Sequence, residues 1–287
     1  MTEQKSSCKK LVFIHIPKTA GTTLKAIIYR HYLPGHVYTF YEQGQHRQRM
    51  DRLVCALEKK KKIGLITGHI GWGIHRELKE QVRYLTVLRE PVERVISMYN
   101  HIKRSEAHPN HCEVSRMSIE DYVRSGIDEA AQDSQTRFLS GVKWDYELAG
   151  KDDLIGTGDC TKQEMLDAAK QNLLKHIDVV GLSERFDETL ILIRQVFGWR
   201  DTYYSNFNVG KAGVKKAKPV VKGYDIIAEH NALDIELYRF ARESFDQRLA
   251  SLPIDVGQEV SAFRSRNRII GPLVSYPSRI LQKLAER

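Results

Sequence analysis

Lys18, Gly21, Thr22 and Thr23 sit close together where an apolar run gives way to a helical pattern. The β-branched stretch from Leu11 to Ile16 stops at Pro17, the loop Lys18-Thr19-Ala20-Gly21 follows, and Thr22 and Thr23 open a helix marked by Leu24, Ile27 and Ile28. A strand, a small-residue loop and a helix start together make an anion-binding device, because free N–H groups and the positive end of the helix dipole meet at one point. Lys18 adds a full charge there, and the two threonines add hydroxyl donors. The guest that suits this chemistry is a phosphate or a sulfate ester, and so a nucleotide-like anion. The loop is not a Walker A sequence, in which lysine follows the last glycine, since Lys18 precedes Gly21. The competing reading is an ordinary tight strand-to-helix turn.

Two further groups are expected at the same edge. Arg89 ends the apolar run Arg83 to Leu88, and in open α/β sheets ligands bind beyond the carboxyl ends of the strands. Ser97 follows just over two helical turns later, so an arginine and a hydroxyl can converge on one phosphate. A salt bridge from Arg89 to Glu90 or Glu93 is the alternative, and Arg94 reads as a structural ion pair. His69, in Gly68-His69-Ile70-Gly71-Trp72-Gly73, also ends a strand. A histidine placed there can act as a general base near neutral pH, and the flanking glycines let a ligand approach the backbone. His15 lies inside the first strand and reads as a core histidine. His108, His111 and Cys112 match no common zinc spacing and read as a loop. Ser134, Gln135 and Arg137 before Phe138 suggest a helix with a polar face. The basic stretch 206–218 is either a surface segment or a flap over a bound anion. No G-x-S-x-G occurs, which disfavours a serine hydrolase.

The elements that must carry these groups alternate. Strands are expected at 11–16, 63–69, 82–88 and 178–182, with helices at 22–33, 46–62, from Pro91, at 119–125, 162–176, 187–197 and as one long helix over 226–249. Pro91 occupies a first-turn position that tolerates proline. Ser118 to Asp121 and Thr161 to Glu164 resemble capping boxes. The helix over 46–62 ends in Lys59 to Lys62, read as a solvated end. Alternation of this kind predicts crossovers and a mostly parallel sheet. One domain over 1–255 is expected, followed by a basic tail, 256–287, in which Ile280, Leu281 and Leu284 form a short amphipathic helix docked on the body rather than on a membrane.

With 287 residues, 41% of them hydrophobic, the chain can bury a real core, and a net charge of +9 favours anionic partners. Cys8, Cys55, Cys112 and Cys160 lie far apart, so no disulfide framework is expected. Met1 to Lys5 show no signal-peptide pattern and no apolar run reaches membrane length. The expected address is cytoplasmic, with a luminal domain lacking its anchor as the alternative.

Three segments, in this order, resemble the sulfotransferases that use 3'-phosphoadenosine 5'-phosphosulfate (PAPS), in particular the group of the heparan sulfate 2-O- and 6-O-sulfotransferases and their bacterial relatives. His15 to Thr23 is similar to that family's 5'-phosphosulfate loop, Arg89 to Tyr99 to its 3'-phosphate motif, and Gly68-His69 to the segment that supplies the base. Gly181 to Asp187 is a recurrent phrase of the same family. The resemblance covers roughly 11–210 and implies a P-loop-like three-layer α/β fold, a mostly parallel central sheet flanked by helices. It further implies that Lys18, Thr19, Gly21, Thr22 and Thr23 hold the 5'-phosphosulfate, that Arg89 and Ser97 hold the 3'-phosphate, and that His69 and Lys18 are catalytic. PAPS is then the co-substrate, and a hydroxyl, on an anionic glycan or another alcohol, is the acceptor. No Walker B-type aspartate is evident, so no metal is expected. A P-loop-type kinase, which needs Mg²⁺, and a basic nucleic-acid-binding protein are the rival readings. The latter lacks a recognised module.

Overall fold

Continuous apolar runs such as Leu11-Val12-Phe13-Ile14 make strands that are covered on both faces. The computed structural model describes residues 9–40, 46–59, 62–78, 80–141, 160–205 and 223–285. Strands β1 (Lys10–Ile14), β2 (Val37–Phe40), β3 (Leu65–Gly68), β4 (Val82–Leu88) and β5 (Val179–Leu182) form a sheet in the order β2-β3-β1-β4-β5. Every pairing is parallel. Ile14 is in register with Gly68 on one side and Thr86 on the other, so β1, β3 and β4 release the chain at one common edge.

The first helices are α1 (Gly21–Ile28), α2 (His46–Glu58), α3 (Ile74–Leu78) and α4 (Pro91–Arg104). After them come α5 (His111–Val114), α6 (Ile119–Ser125), α7 (Ser134–Ser140) and α8 (Lys162–Lys175). The chain ends with α9 (Phe186–Phe197), α10 (Tyr224–His230), α11 (Ala232–Ala250) and α12 (Val256–Ala285). Helix α12 packs on α1 and α9, while α7, α8 and α11 pack on one another, which gives helical layers on either side of the sheet. The main core runs from β1 through Leu24 and Ile27 of α1 to Leu166 of α8, Phe245 of α11 and Phe263 of α12. A second cluster joins Val92, Val95 and Ile102 of α4 to Tyr122 of α6 and Ile227 of α10.

Three expectations need correction. Strand β2 has no counterpart among the expected strands: Val37–Phe40 is four residues long, only Phe40 is buried, and nothing in so short a run separates it from a loop. The long helix expected over 226–249 is two helices. Asn231 breaks it, donating from its side chain to the carbonyls of Ile227 and Ala131 and accepting from the Asp133 N–H. The tail is not a short helix but the 30-residue α12, which starts where the Asp255 carboxylate accepts from Gln258 N–H. Phe263 is wholly buried, and Ser278 accepts from Arg30, so one face of α12 is fixed to the body. The 206–218 stretch and Lys60-Lys61 lie outside the described residues.

Asp234 ties the sheet edge to the helical layers. It is fully buried in the first turn of α11 and accepts from Gln135 N at 3.0 Å, Thr136 N at 2.7 Å and Thr136 Oγ1 at 2.8 Å. It therefore caps α7, whose own N-cap residue Asp133 supplies no side-chain cap. Its charge is balanced by fully buried Arg94, the structural ion pair expected at that position, with Nη2 3.7 Å away. Asp234→Ala removes the carboxylate paired with buried Arg94, which keeps only its bond to the Ala130 carbonyl, and leaves the Gln135 and Thr136 N–H groups without their acceptor, and it is expected to cost about 3–5 kcal/mol of stability. Asp234→Asn, which keeps one acceptor oxygen, is expected to lose less. Urea unfolding midpoints of the two variants check this.

Candidate functional site

The loop after β1 folds tightly because two non-glycine residues take left-handed backbone. Lys18 has φ 68° and Ala20 has φ 65°, and Asp133 is the one other such non-glycine residue among those described. Each costs about 1–2 kcal/mol, and strain of this kind gathers at ligand sites. The Thr19 side chain is buried and donates to the Ile16 carbonyl at 2.9 Å, so it braces the loop from inside and only its backbone can face a ligand. Helix α1 then begins with no side-chain cap on its first N–H groups. Helix α4 differs, since the Glu90 carboxylate accepts from Val92 and Glu93 N–H and blocks that N-terminus. The anion-receptive helix end is thus α1, with Thr22 exposed and Thr23 half-buried on its first turn.

Gly21 is required by a close approach. A Cβ there would lie 1.9 Å from the His15 ring, which passes directly beneath it. His15 is buried as expected, but it lines the site. It stacks on Phe13 and its centroid lies 5.3 Å from that of His69. His69 follows β3, where Gly68 has φ 148° and its Cα runs so near the Phe40 backbone that a Cβ would fall 2.3 Å from the Phe40 carbonyl oxygen. His69 is exposed by surface area, yet the groups packed around it are dense enough to disfavour its charged form. That enclosure, with the Lys25 charge second, lowers its pKa to about 4. His15 is lowered well below the usual histidine value, first by burial and then by His69, Lys25 and Lys18. Both imidazoles are therefore neutral at pH 7.

Arg89 joins the other half. Its Nη1 donates to the Lys18 carbonyl at 3.1 Å, which holds the left-handed lysine from across the edge. Its Nη2 makes a long ion pair with Glu93, 4.0 Å away, which is the alternative partner expected from the sequence, while the Glu90 carboxylate is engaged in capping. The Arg89 backbone is clamped by buried Gln135, whose Oε1 accepts from Arg89 N and whose Nε2 donates to Arg89 O, both at 2.9 Å. Ser97 shares one stripe of α4 with His101 and Arg104, four and seven residues on. That stripe faces the loop: the Lys18 pKa is lowered by burial first, then by Arg104 and Arg89. His101 is lowered by burial, then by Lys18, His108 and Arg104. Cations that disfavour one another in this way favour a multiply charged anion between them.

Lys18, Gly21, His69 and Arg89 thus fall into one neighbourhood, with Ser97 placed only by its position on the α4 stripe. Lys18 bonds to Arg89, Gly21 lies on His15, and His15 touches His69. Sequence reasoning missed Lys25, His101, Arg104 and Gln135. Lys25 is one turn beyond Gly21, and His101 and Arg104 lie on the Ser97 stripe, so spacing carried a signal for these three. Gln135 is 46 residues from Arg89, and its pairing had none. Glu184, in the phrase 181–187, accepts from Glu90 N and from the Tyr238 hydroxyl and so anchors the turn after β4. Among the described residues no group of three or more His, Cys, Asp or Glu could hold a metal ion.

A parallel sheet with an uncapped helix end and a cation cluster at its carboxyl edge places the chain in the α/β class and gives that edge the chemistry to receive an anion. The profile of the galactose-3-O-sulfotransferase family matches residues 2–282, and the chain belongs to that family. It is 25% identical to the chicken (Gallus gallus) heparan-sulfate 6-O-sulfotransferase 2, a match that covers 91% of this chain and 72% of that protein. It is 23% identical to the mouse (Mus musculus) heparan-sulfate 6-O-sulfotransferase 3, covering 83% of this chain and 58% of that protein. A cattle (Bos taurus) galactose-3-O-sulfotransferase 3 is also 23% identical, over 84% of this chain and 58% of that protein. The chain thus spans little more than half the length of the mouse and cattle relatives. Among solved structures, mouse sulfotransferase SULT7A1 complexed with PAP aligns with a TM-score of 0.43 and 12% identity, over 86% of this chain and 90% of that one.

Gly21→Ala drives a methyl into the His15 ring and is expected to destabilise the fold by about 1–3 kcal/mol. In a cycle with His15→Ala the two losses are expected to be strongly less than additive, which urea unfolding of the three variants measures.

Proposed function

We propose that the protein is a sulfotransferase that moves the sulfuryl group of 3'-phosphoadenosine 5'-phosphosulfate to an acceptor hydroxyl. The observation that carries this reading is the Arg89–Lys18 contact, which makes the loop after β1 and the turn after β4 one cationic cradle with His69 at its mouth. In this reading the α1 N-terminus, Lys18, Gly21, Thr22, Thr23 and the Thr19 backbone hold the 5'-phosphosulfate, and Arg89 and Ser97 hold the 3'-phosphate. Residues 1–255 form the transferase domain, and α12 is its docked tail. The named acceptors of the relatives, heparan sulfate and galactose, support a sugar hydroxyl. No helix among the described residues is long and apolar enough to cross a membrane. A cytoplasmic address stays part of the proposal.

The step balances simply. The acceptor oxygen forms a bond to sulfur as the bond between sulfur and the bridging 5'-phosphate oxygen breaks, and the acceptor proton passes to His69. The leaving group is adenosine 3',5'-bisphosphate. Charge grows on the bridging oxygen, where Lys18 and the uncapped N–H groups of α1 stabilise it as preorganised donors. His69 is suited to accept the proton because it is neutral, and its edge is open to an incoming hydroxyl.

His69→Ala is expected to lower turnover by about two orders of magnitude or more with little change in donor affinity. A variant with unchanged turnover in a radiolabelled sulfate-transfer assay removes His69 from the mechanism. With the His69 pKa near 4, kcat/KM for the donor should stay level on acidification well below neutral and fall only as protonation sets in near that value. The anionic donor raises that pKa, so the acid limb of kcat should lie at higher pH than that of kcat/KM.

Arg89→Ala is expected to weaken adenosine 3',5'-bisphosphate far more than 5'-AMP in calorimetric titrations. Equal losses for the two ligands place the 3'-phosphate elsewhere.

A further inference from the structure

Eight large hydrophobic side chains stand exposed among the described residues, and four of them, Ile269, Leu273, Ile280 and Leu284, belong to α12. At 3.6 residues per turn the four fall within an arc of roughly 60°. They therefore form a stripe rather than a scatter, and a stripe of this kind marks an interaction surface. Phe263, Gly271 and Ser278 are buried on the side of the helix that meets the body. The stripe points away from them, with Ile269 and Leu273 each 70% exposed or more.

The charge around the stripe selects the partner. The segment Val256–Ala285 contains Arg266, Arg268, Arg279 and Lys283, besides Arg264, which pairs with Asp187 of the body, against a single acid, Glu259, in its first turn. By helical position Arg266 and Lys283 lie at the two borders of the stripe, and both are exposed, as is Arg268. A second copy laid on this face would bring cations against cations, since the single acid of the helix, Glu259, lies in its first turn ahead of the stripe, and each chain carries +9 overall. An anionic lipid surface satisfies both features at once. The apolar stripe enters the acyl boundary, and the bordering arginines and lysine meet the headgroups.

We infer that α12 seats the protein on the surface of an anionic lipid bilayer. The helix lies in the interface plane and does not cross it. The inference stands on the stripe and its charges and is independent of the transfer chemistry proposed above.

The test is co-sedimentation of the full-length protein with vesicles of phosphatidylcholine alone and of phosphatidylcholine with phosphatidylserine. Binding to the phosphatidylserine vesicles is expected to exceed binding to phosphatidylcholine by at least about tenfold and to weaken as salt is added. Leu273→Asp/Ile280→Asp, at two exposed positions, is expected to lose that binding by at least about tenfold while Tm and calorimetric binding of adenosine 3',5'-bisphosphate stay as in the parent. Equal binding to both vesicle types overturns the inference, as does undiminished binding of the variant. Sedimentation equilibrium provides a further check: a parent dimer that the variant converts to monomer assigns the stripe to a second copy instead.

Discussion

A single hydrogen bond, from the Arg89 guanidinium to the Lys18 carbonyl, joins the two halves of the site, and most of the surrounding architecture serves to make it possible. Lys18 presents that carbonyl only because its backbone is left-handed, a conformation with a cost for a residue that carries a Cβ. The parallel register brings the two partners to the same edge, since Ile14 of β1 lies opposite Thr86 of β4, and each chain leaves its strand within a few residues of that pair. A strained loop persists where its surroundings over-determine it, and here the determinant is an arginine that also serves as an anion ligand in the proposed reaction.

Arg89 is held as firmly as it holds. Gln135 bonds both its N–H and its carbonyl, Gln135 stands on the first turn of α7, and that turn is capped by Asp234 from α11. Asp234 is neutralised by Arg94, one turn into α4, the helix that Arg89 precedes. The chain of contacts is a closed ring of buried polar groups from β4 through α7 and α11 back to α4. Buried networks of this type gain from low dielectric when satisfied and lose heavily when broken, so the ring sets the arginine's place with little tolerance. Glu184 adds a second tether at Glu90 N–H, linking the start of α4 to Tyr238 of α11.

The order of strands and helices was readable because fully covered parallel strands are uninterrupted apolar runs and because several helices carry their start signals. Strand β4 has the span expected, Val82–Leu88, α6 begins at the Ser118 cap and α8 at the Thr161 capping box. Lys18, His69 and Arg89 could be nominated because each follows such a run, at the edge where α/β sheets bind ligands. What escaped depends on tertiary partners. Asn231 breaks a helical pattern only because Ala131 and Asp133 are present to use its amide. The left-handed Lys18 and Ala20 have no signature, since glycine is the residue that advertises such backbone. His15 looked like a core residue, and it is buried, but its meaning comes from Gly21 above it and His69 beside it.

The two sides of the site divide its electrostatics in a way that fits a transfer reaction. On the α4 side burial first, and then Arg104 and Arg89, disfavour the charge on Lys18, which raises the gain from an anion that can sit among them. On the β3 side burial first, and the Lys25 charge as a smaller contribution, keep His15 and His69 unprotonated. The cations that would attract an anion therefore add to the effect of burial in keeping the adjacent imidazole unprotonated. In the proposed reaction the incoming anion offsets the Lys25 charge, and the basicity of His69 rises as the donor binds. Donor binding and base activation would then be coupled electrostatically, because the proposed base lies beside the cations proposed to hold the donor.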